Sequence, residues 1–357
     1  MRRILLLFWI GLATVTSCYG QGEVRIGVLG LFHAKELVLE PAGPQSISVQ
    51  GRGDGFVLNG EVGRRSIAFR AQGDRILADS TSSPSWRVAA RDGSVTRFRL
   101  SVPGKIHRVY EGRLEIETHH GELTAILIMD RELAVASIVA SEMPRGAPLE
   151  AMKAQSIVAR SFLSAGRRHA AFEFCDTTHC QFLRSSEHLS QRARDAVWAT
   201  EGMTLVYQGK PLAAMYSSRC GGQTRSLSDL AMQAGTGYPY YAVTCRWCRE
   251  HPVRWQTHLD PTATVPQPGN ESQRIHHARQ WGWSVLPGND FEVTRDSDKL
   301  SIEGHSLGHS LGLCQFGAMG MAESGSDFRT ILAYYYPNSK IQSFSKAGRR
   351  PEISSLH

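Results

Sequence analysis

Two groups of cysteines and histidines carry the spacing that most plainly permits a built site in this chain of 357 residues. His169, Cys175, His179 and Cys180 form an H-x5-C-x3-H-C cluster, two imidazoles and two thiols close together in sequence. That is the ligand set of a tetrahedral structural zinc site, and a closed site of this kind stiffens a loop rather than catalysing. The alternative is a Cys175–Cys180 disulfide beside free histidines, which an oxidising compartment favours. The second group contains Cys245-Arg246-Trp247-Cys248, a C-x-x-C compatible with redox, metal or disulfide chemistry. No βαβ pattern frames Cys245, which argues against a thioredoxin-like redox role. A third candidate is a single acid, Glu142, standing just before Met143-Pro144. Taken alone, such a residue is a solvated helix end.

The elements that must position these groups follow from hydrophobic period. A strand begins at Gly112-Arg113-Leu114-Glu115-Ile116-Glu117, and Gly121 separates it from an apolar run, Leu123 to Met129, in a hairpin-like pair. The period then changes. Leu133, Val135, Ile138 and Val139 have helical spacing, and Met143-Pro144 ends that helix because proline disfavours helix at the residue before it. A second helix starts near Pro148, well suited to a first helical position, and runs through Met152, Val158 and Phe162 to about Arg168. Glu142 therefore sits where two helices break. Further on, the spacing predicts a helix over Ser190 to Thr200, strands over Met203 to Tyr207 and Leu212 to Tyr216 joined at Gln208-Gly209, and a last helix over Phe328 to Tyr335. Ahead of all these, short β-type runs recur at Val24 to Leu29, Ser46 to Val49, Phe56 to Leu58, Ser66 to Phe69 and Thr96 to Val102, with a loop at Asp79 to Ser85. The expected class is α+β: a β-rich region over 21–109, a mixed domain over 110–345 with an extended groove, and a polar, flexible tail over 346–357.

Composition is that of an ordinary globular protein, 41% hydrophobic and 20% charged. Lysine and arginine outnumber aspartate and glutamate 40 to 33, and a net charge of +7 makes acidic polymers plausible partners. The basic residues are scattered and no nucleic-acid motif is present, so nucleic acid is not expected among them. The opening MRRILLLFWIGLATVTSCYGQ has two arginines and an apolar run from Ile4 to Ala13 that is too short to span a bilayer. That is signal-peptide grammar over 1–20. Val15-Thr16-Ser17-Cys18 also reads as a lipobox with Cys18 lipidated, while small residues at Cys18 and Gly20 permit ordinary cleavage before Gln21. The mature chain is expected outside the cytoplasm, in the periplasm or cell envelope, touching membrane only through the signal or a lipid at Cys18.

Four separated segments fall into one order: Ser141-Glu142-Met143-Pro144; Glu150 through Phe162, EAMKAQSIVARSF; Tyr216 through Thr224, YSSRCGGQT; and Gly308 through Ala318, GHSLGLCQFGA. With the run Ala196 through Gly202, AVWATEG, they resemble the stage II sporulation protein D and amidase-enhancer family over about 230 residues, from Tyr110 to Phe344. The resemblance implies a lytic transglycosylase that cuts the MurNAc–GlcNAc bond of peptidoglycan glycan strands and leaves a 1,6-anhydro end, with Glu142 as its catalytic acid and base. The alternative under the same family name is a non-catalytic peptidoglycan-binding enhancer of a cell-wall amidase. Some members of the family carry zinc where His169, Cys175, His179 and Cys180 stand and others lack the cysteines, so the metal is optional for the chemistry. Tyr216, Ser217 and Ser218 precede a Gly-Gly that permits close backbone approach and are expected to line a sugar groove. His309 and Gln315 lie in a glycine-rich loop and offer donors suited to sugar hydroxyls. Arg160 is expected either to contact the substrate or Glu142, or to form a structural ion pair. Because Cys220 and Cys314 fall inside the groove motifs, they and Cys245 and Cys248 are expected to converge as one or two disulfides, which export favours, or as an all-thiolate metal site.

Overall fold

In the computed structural model the described residues are 22–61, 63–230 and 237–343, so the leader, Cys18 and the tail lie outside the described residues. Period-two runs build two large sheets. A seven-stranded sheet orders Phe174–Cys175, Glu23–Val28, Glu122–Asp130, Arg113–His119, Ser85–Ala90, Ser46–Gln50 and Gly55–Asn59. A six-stranded sheet orders Ile106–Glu111, Arg97–Val102, Glu36–Pro41, Ile67–Gln72, Arg75–Ala78 and Thr81–Ser83. Their apolar faces meet around the buried Trp86, which stacks on Phe56, tilts against Phe69 and donates its indole N–H to the Ile76 carbonyl. The strand Thr81–Ser83 occupies the stretch expected to be a loop, pairing Ile76 with Ser83.

The boundary expected between 109 and 110 is not where the sheets divide. Glu23–Val28 runs antiparallel to Glu122–Asp130, with Val24 opposite Met129, and Arg113–His119 pairs with Ser85–Ala90. The reason lies in Glu122–Asp130 itself, whose Ala125 to Met129 are all buried. A strand apolar on both faces needs neighbours and cover on both sides. The front strands supply part of that cover, and one hydrophobic core runs from Val24 to Tyr336.

Helix α1 (Arg131–Glu142) follows that strand directly, its N-terminus capped by the Asp130 carboxylate, which accepts from the Glu132 and Leu133 N–H groups. It stops where the sequence predicts, at an extended Met143 before Pro144. Helix α2 (Leu149–Ser164) is buried at almost every position from Ala151 to Leu163 and ends a turn earlier than expected. It is the hub of the domain, packed against α1, α3 (Gln191–Trp198) and, later in the chain, α6 (Gln315–Glu323) and α7 (Phe328–Tyr335). Ser190 and Asp327 cap α3 and α7. Between them lie α4 (Arg246–Glu250) and α5 (Glu271–Trp281). Helix α5 accompanies a small sheet of Trp255–Leu259, Leu300–Gly304 and Phe291–Arg295. That sheet has its own core of Leu286, Phe291, Leu300 and Ile302, a satellite the hydrophobic pattern did not announce.

Met203–Tyr207 is a strand as expected, but Leu212 to Tyr216 is not. Only Tyr216–Ser217 is extended in a ladder, pairing in parallel with Leu313–Cys314. Gly312 makes this approach possible: its φ is +65°, and a Cβ there would lie 2.1 Å from the Met215 carbonyl oxygen. Among the described residues no helix is long and apolar enough to cross a membrane.

Candidate functional site

The C-terminal end of α1 and the paired segments Tyr216–Ser217 and Leu313–Cys314 face each other across a cleft of about 530 Å³. One wall is Ala140 to Arg145 with Arg184 and His188; the other is Ser218, Arg219, Gln315, Phe316 and Met319. Glu142 is the only carboxylate among the described residues lining it, and Arg145, Arg184 and Arg219 surround it with positive charge. The guanidinium of Arg219 lies 3.7 Å over the Phe316 ring and donates to the His251 carbonyl, which fixes its direction.

Glu142 is the last residue of α1, and Oε1 accepts the Phe182 N–H at 3.0 Å. The Tyr216 hydroxyl donates to the same carboxyl, and Arg184 adds positive potential. Burial outweighs these three and raises the Glu142 pKa above the ordinary carboxylate value. Such a carboxyl holds its proton to higher pH than a solvated one, as a general acid must. Its local sequence gave no sign of this. The groups that hold it there, Phe182 and Tyr216, lie 40 and 74 positions away in the chain.

The remaining candidates divide. Tyr216 reaches Glu142, Ser218 is exposed on the wall and Gln315 lines it, with Nε2 3.5 Å from the Gln155 Oε1. Ser217 is buried beneath the wall, because the ladder with Cys314 turns alternate side chains away from the cleft. His309 does not line the cleft either. Its Nδ1 accepts the Leu311 N–H at 3.0 Å, its carbonyl accepts from Asn289, and burial lowers its pKa, so it braces its loop as a neutral ring. Arg160, expected as a substrate contact or an ion pair, is the ion pair. It is 1% exposed, is bonded to both Glu132 carboxylate oxygens and donates to the Met203 and Val197 carbonyls. It is buried and does not line the cleft. Arg145, Arg184, Arg219 and His188 were missed by sequence reasoning, since isolated basic residues in loops carry no periodic or spacing signal.

The structure brings both sulfur groups together. The ligand atoms of His169, Cys175, His179 and Cys180 all lie within 4.8 Å of one another, as do the four sulfurs of Cys220, Cys245, Cys248 and Cys314. Among the described residues six cysteines are present as free thiols, and neither group is joined by a disulfide. In the first group the contacts are His169 Nε2 to Cys180 Sγ at 3.4 Å, Cys180 Sγ to His179 Nδ1 at 3.4 Å and Cys175 Sγ to His179 Nδ1 at 3.8 Å. For bonds of about 2.0–2.3 Å, a tetrahedral ion spaces its ligands roughly 3.3–3.8 Å apart, so this donor set fits zinc. The group closes the loop after α2 just ahead of Phe182, whose N–H holds Glu142.

Residues 119–207 match the family model for stage II sporulation protein. The chain is 24% identical over 278 residues to an uncharacterized protein of Brachyspira hyodysenteriae, covering 68% of this chain and 75% of that one. It is 27% identical over 252 residues to stage II sporulation protein D of Bacillus subtilis, covering 58% and 73%. It is also 20% identical over 289 residues to the amidase enhancer of Bacillus subtilis, a longer protein of which the match spans 40%. The matched stretch holds α1, Glu142, the buried α2 hub and the whole first sulfur group. The chain is thus similar over 119–207 to the stage II sporulation protein family and, over longer stretches, to proteins named stage II sporulation protein D and amidase enhancer.

Proposed function

We propose that this protein is an exported peptidoglycan lytic transglycosylase in which Glu142 acts first as acid and then as base. The observation that carries this reading is a partly buried carboxyl, the only one among the described residues lining the cleft, accompanied there by three arginines. Hydrolytic glycosidases ordinarily need a second carboxylate as nucleophile or to activate water. A sugar that attacks itself does not. Glu142 gives its proton to the glycosidic oxygen as the bond from MurNAc C1 to that oxygen breaks. The same residue's 6-hydroxyl then bonds to C1, and its proton returns to Glu142, leaving a 1,6-anhydro end. Arg145, Arg184 and Arg219 suit the lactyl carboxylates of a peptide-poor strand.

Incubation of the purified chain with peptide-stripped glycan strands is expected to give anhydro-muropeptides detectable by mass spectrometry. No anhydro product at any protein concentration would sink the reading. A relative named amidase enhancer motivates the second reading, a binding module that raises the activity of a cell-wall amidase. Peptide release that rises only when an amidase is present, with no anhydro ends, would support that reading instead.

Tyr216 is a positioning residue for this acid. Its hydroxyl stabilises the ionised carboxyl, so Tyr216→Phe should raise the Glu142 pKa further. Activity that needs the protonated acid is lost as pH rises through that pKa, so the alkaline limb of the kcat profile moves to higher pH while kcat at its optimum falls. An unmoved limb would assign Tyr216 to packing alone.

The first sulfur group is proposed to hold one structural zinc ion through His169, Cys175, His179 and Cys180. Zinc there would clamp the loop that presents Phe182 to Glu142. Cys175→Ser with Cys180→Ser is expected to remove one zinc equivalent, expose the 166–181 loop to protease and lower turnover. Unchanged protease resistance after complete loss of that zinc would reject the clamp.

A further inference from the structure

Cys220, Cys245, Cys248 and Cys314 come from three separate segments and meet in the interior, none more than 2% exposed. Cys220 follows the cleft residues Ser218 and Arg219, Cys314 precedes the cleft residue Gln315, and Cys245 and Cys248 flank the first turn of α4. We propose that these four thiolates bind one tetrahedral metal ion, zinc or iron(II), as a second structural centre that fastens the cleft wall opposite Glu142.

Geometry is the first support. All four sulfurs lie within 4.8 Å of one another, with Cys248 and Cys314 at 3.5 Å. Metal–sulfur bonds of about 2.3 Å place tetrahedral sulfurs roughly 3.8 Å apart, whereas a disulfide needs about 2.05 Å. Four mutually close sulfurs form the shell of a single ion. Two disulfides would have sorted them into pairs.

The second support is the surrounding chain. The Gly317 N–H points at Cys314 Sγ at 3.4 Å, and the Tyr335 hydroxyl lies 3.4 Å from Cys245 Sγ. N–H and O–H donors of this kind stabilise metal-bound thiolates and set their orientation. Gly317 also has to be glycine: a Cβ would stand 2.6 Å from Cys245 Sγ and 2.0 Å from the Tyr335 oxygen. Inert buried cysteines would need neither the donors nor the cleared space. Binding releases the four thiol protons, one from each cysteine, and no electron is transferred.

The inference does not depend on the transglycosylase reading, and its test distinguishes this centre from the first sulfur group by ligand type. Elemental analysis of the purified full chain should give two metal equivalents. Cys175→Ser with Cys180→Ser should retain one, and X-ray absorption at the retained metal should show four sulfur ligands and no imidazole. Zinc or iron in that analysis identifies the ion at the same site. Cys248→Ser with Cys314→Ser should also retain one equivalent, now with mixed sulfur and nitrogen ligands. If either variant fails to fold, the wild-type chain decides through an average of three sulfurs and one nitrogen per metal. One equivalent with two sulfurs and two nitrogens, or peptide mapping that finds these cysteines as disulfides, would overturn the proposal.

Discussion

Glu142→Gln is expected to lower turnover of peptide-stripped glycan by about 10²–10⁴-fold, the range one general acid–base group supplies. The amide keeps the size of the carboxyl and an oxygen to accept the Phe182 N–H, so α1 and the cleft should be undisturbed. What it loses is the proton. Glycan binding, measured by co-sedimentation or fluorescence, should change little, because the arginines that meet the substrate's carboxylates remain. The fall should therefore lie in kcat with KM nearly constant, the signature of an interaction made only in the transition state. The residual rate should also lose its alkaline limb, since the group that titrates is gone. A variant with wild-type yield of anhydro ends would remove Glu142 from the chemistry. If the wild type makes no such ends and stimulates an amidase equally well with Glu or Gln at 142, the enhancer reading is the correct one.

How far this site was legible depends on the range over which its parts act. Glu142 could be placed at a helix break because Met143-Pro144 is a local stop signal, and α1 ends there. The run Phe328–Tyr335 and the pair Arg113–His119 with Glu122–Asp130 were legible for the same reason: period and punctuation act within a few residues. The first sulfur group was visible as spacing within one loop. By contrast, the convergence of Cys220, Cys245, Cys248 and Cys314 spans 94 positions and required the motif order rather than any local rule. The burial that raises the Glu142 pKa, the turning of Ser217 away from the cleft and the three arginines all depend on which segments meet in space. The strand pairing that crosses the boundary expected near residue 110 has the same origin. Composition changes there, from β-rich to mixed, but sheet pairing is non-local and carries Glu23–Val28 across it to Glu122–Asp130.

Helix α1 bears the acid at one end and, a few turns earlier, Glu132, whose removal should have the largest effect on stability. Glu132 and Arg160 are 6% and 1% exposed, and the guanidinium makes Nε to Oε1 contact at 2.9 Å while Nη1 donates to the Met203 carbonyl at 3.0 Å. The pair ties α1 to α2 and, through that carbonyl, to the strand Met203–Tyr207. Glu132→Ala leaves a guanidinium buried without its counter-charge, a change that typically costs about 3–5 kcal/mol. At roughly 2–4 °C per kcal/mol for a domain of this size, Tm should fall by on the order of 10 °C. Replacing both partners, Glu132→Leu with Arg160→Met, removes the stranded charge and should recover part of the loss. Recovery stays incomplete because the Met203 and Val197 carbonyls lose their donors, and an unsatisfied buried acceptor costs about 1–3 kcal/mol. This sets the pair apart from a catalytic role for Arg160. A structural pair predicts a double variant more stable than Glu132→Ala that still cleaves glycan once folded at low temperature, whereas a substrate contact predicts a double variant that is stable but has lost binding. Thermal unfolding and anhydro-product assays on the same two proteins separate these outcomes.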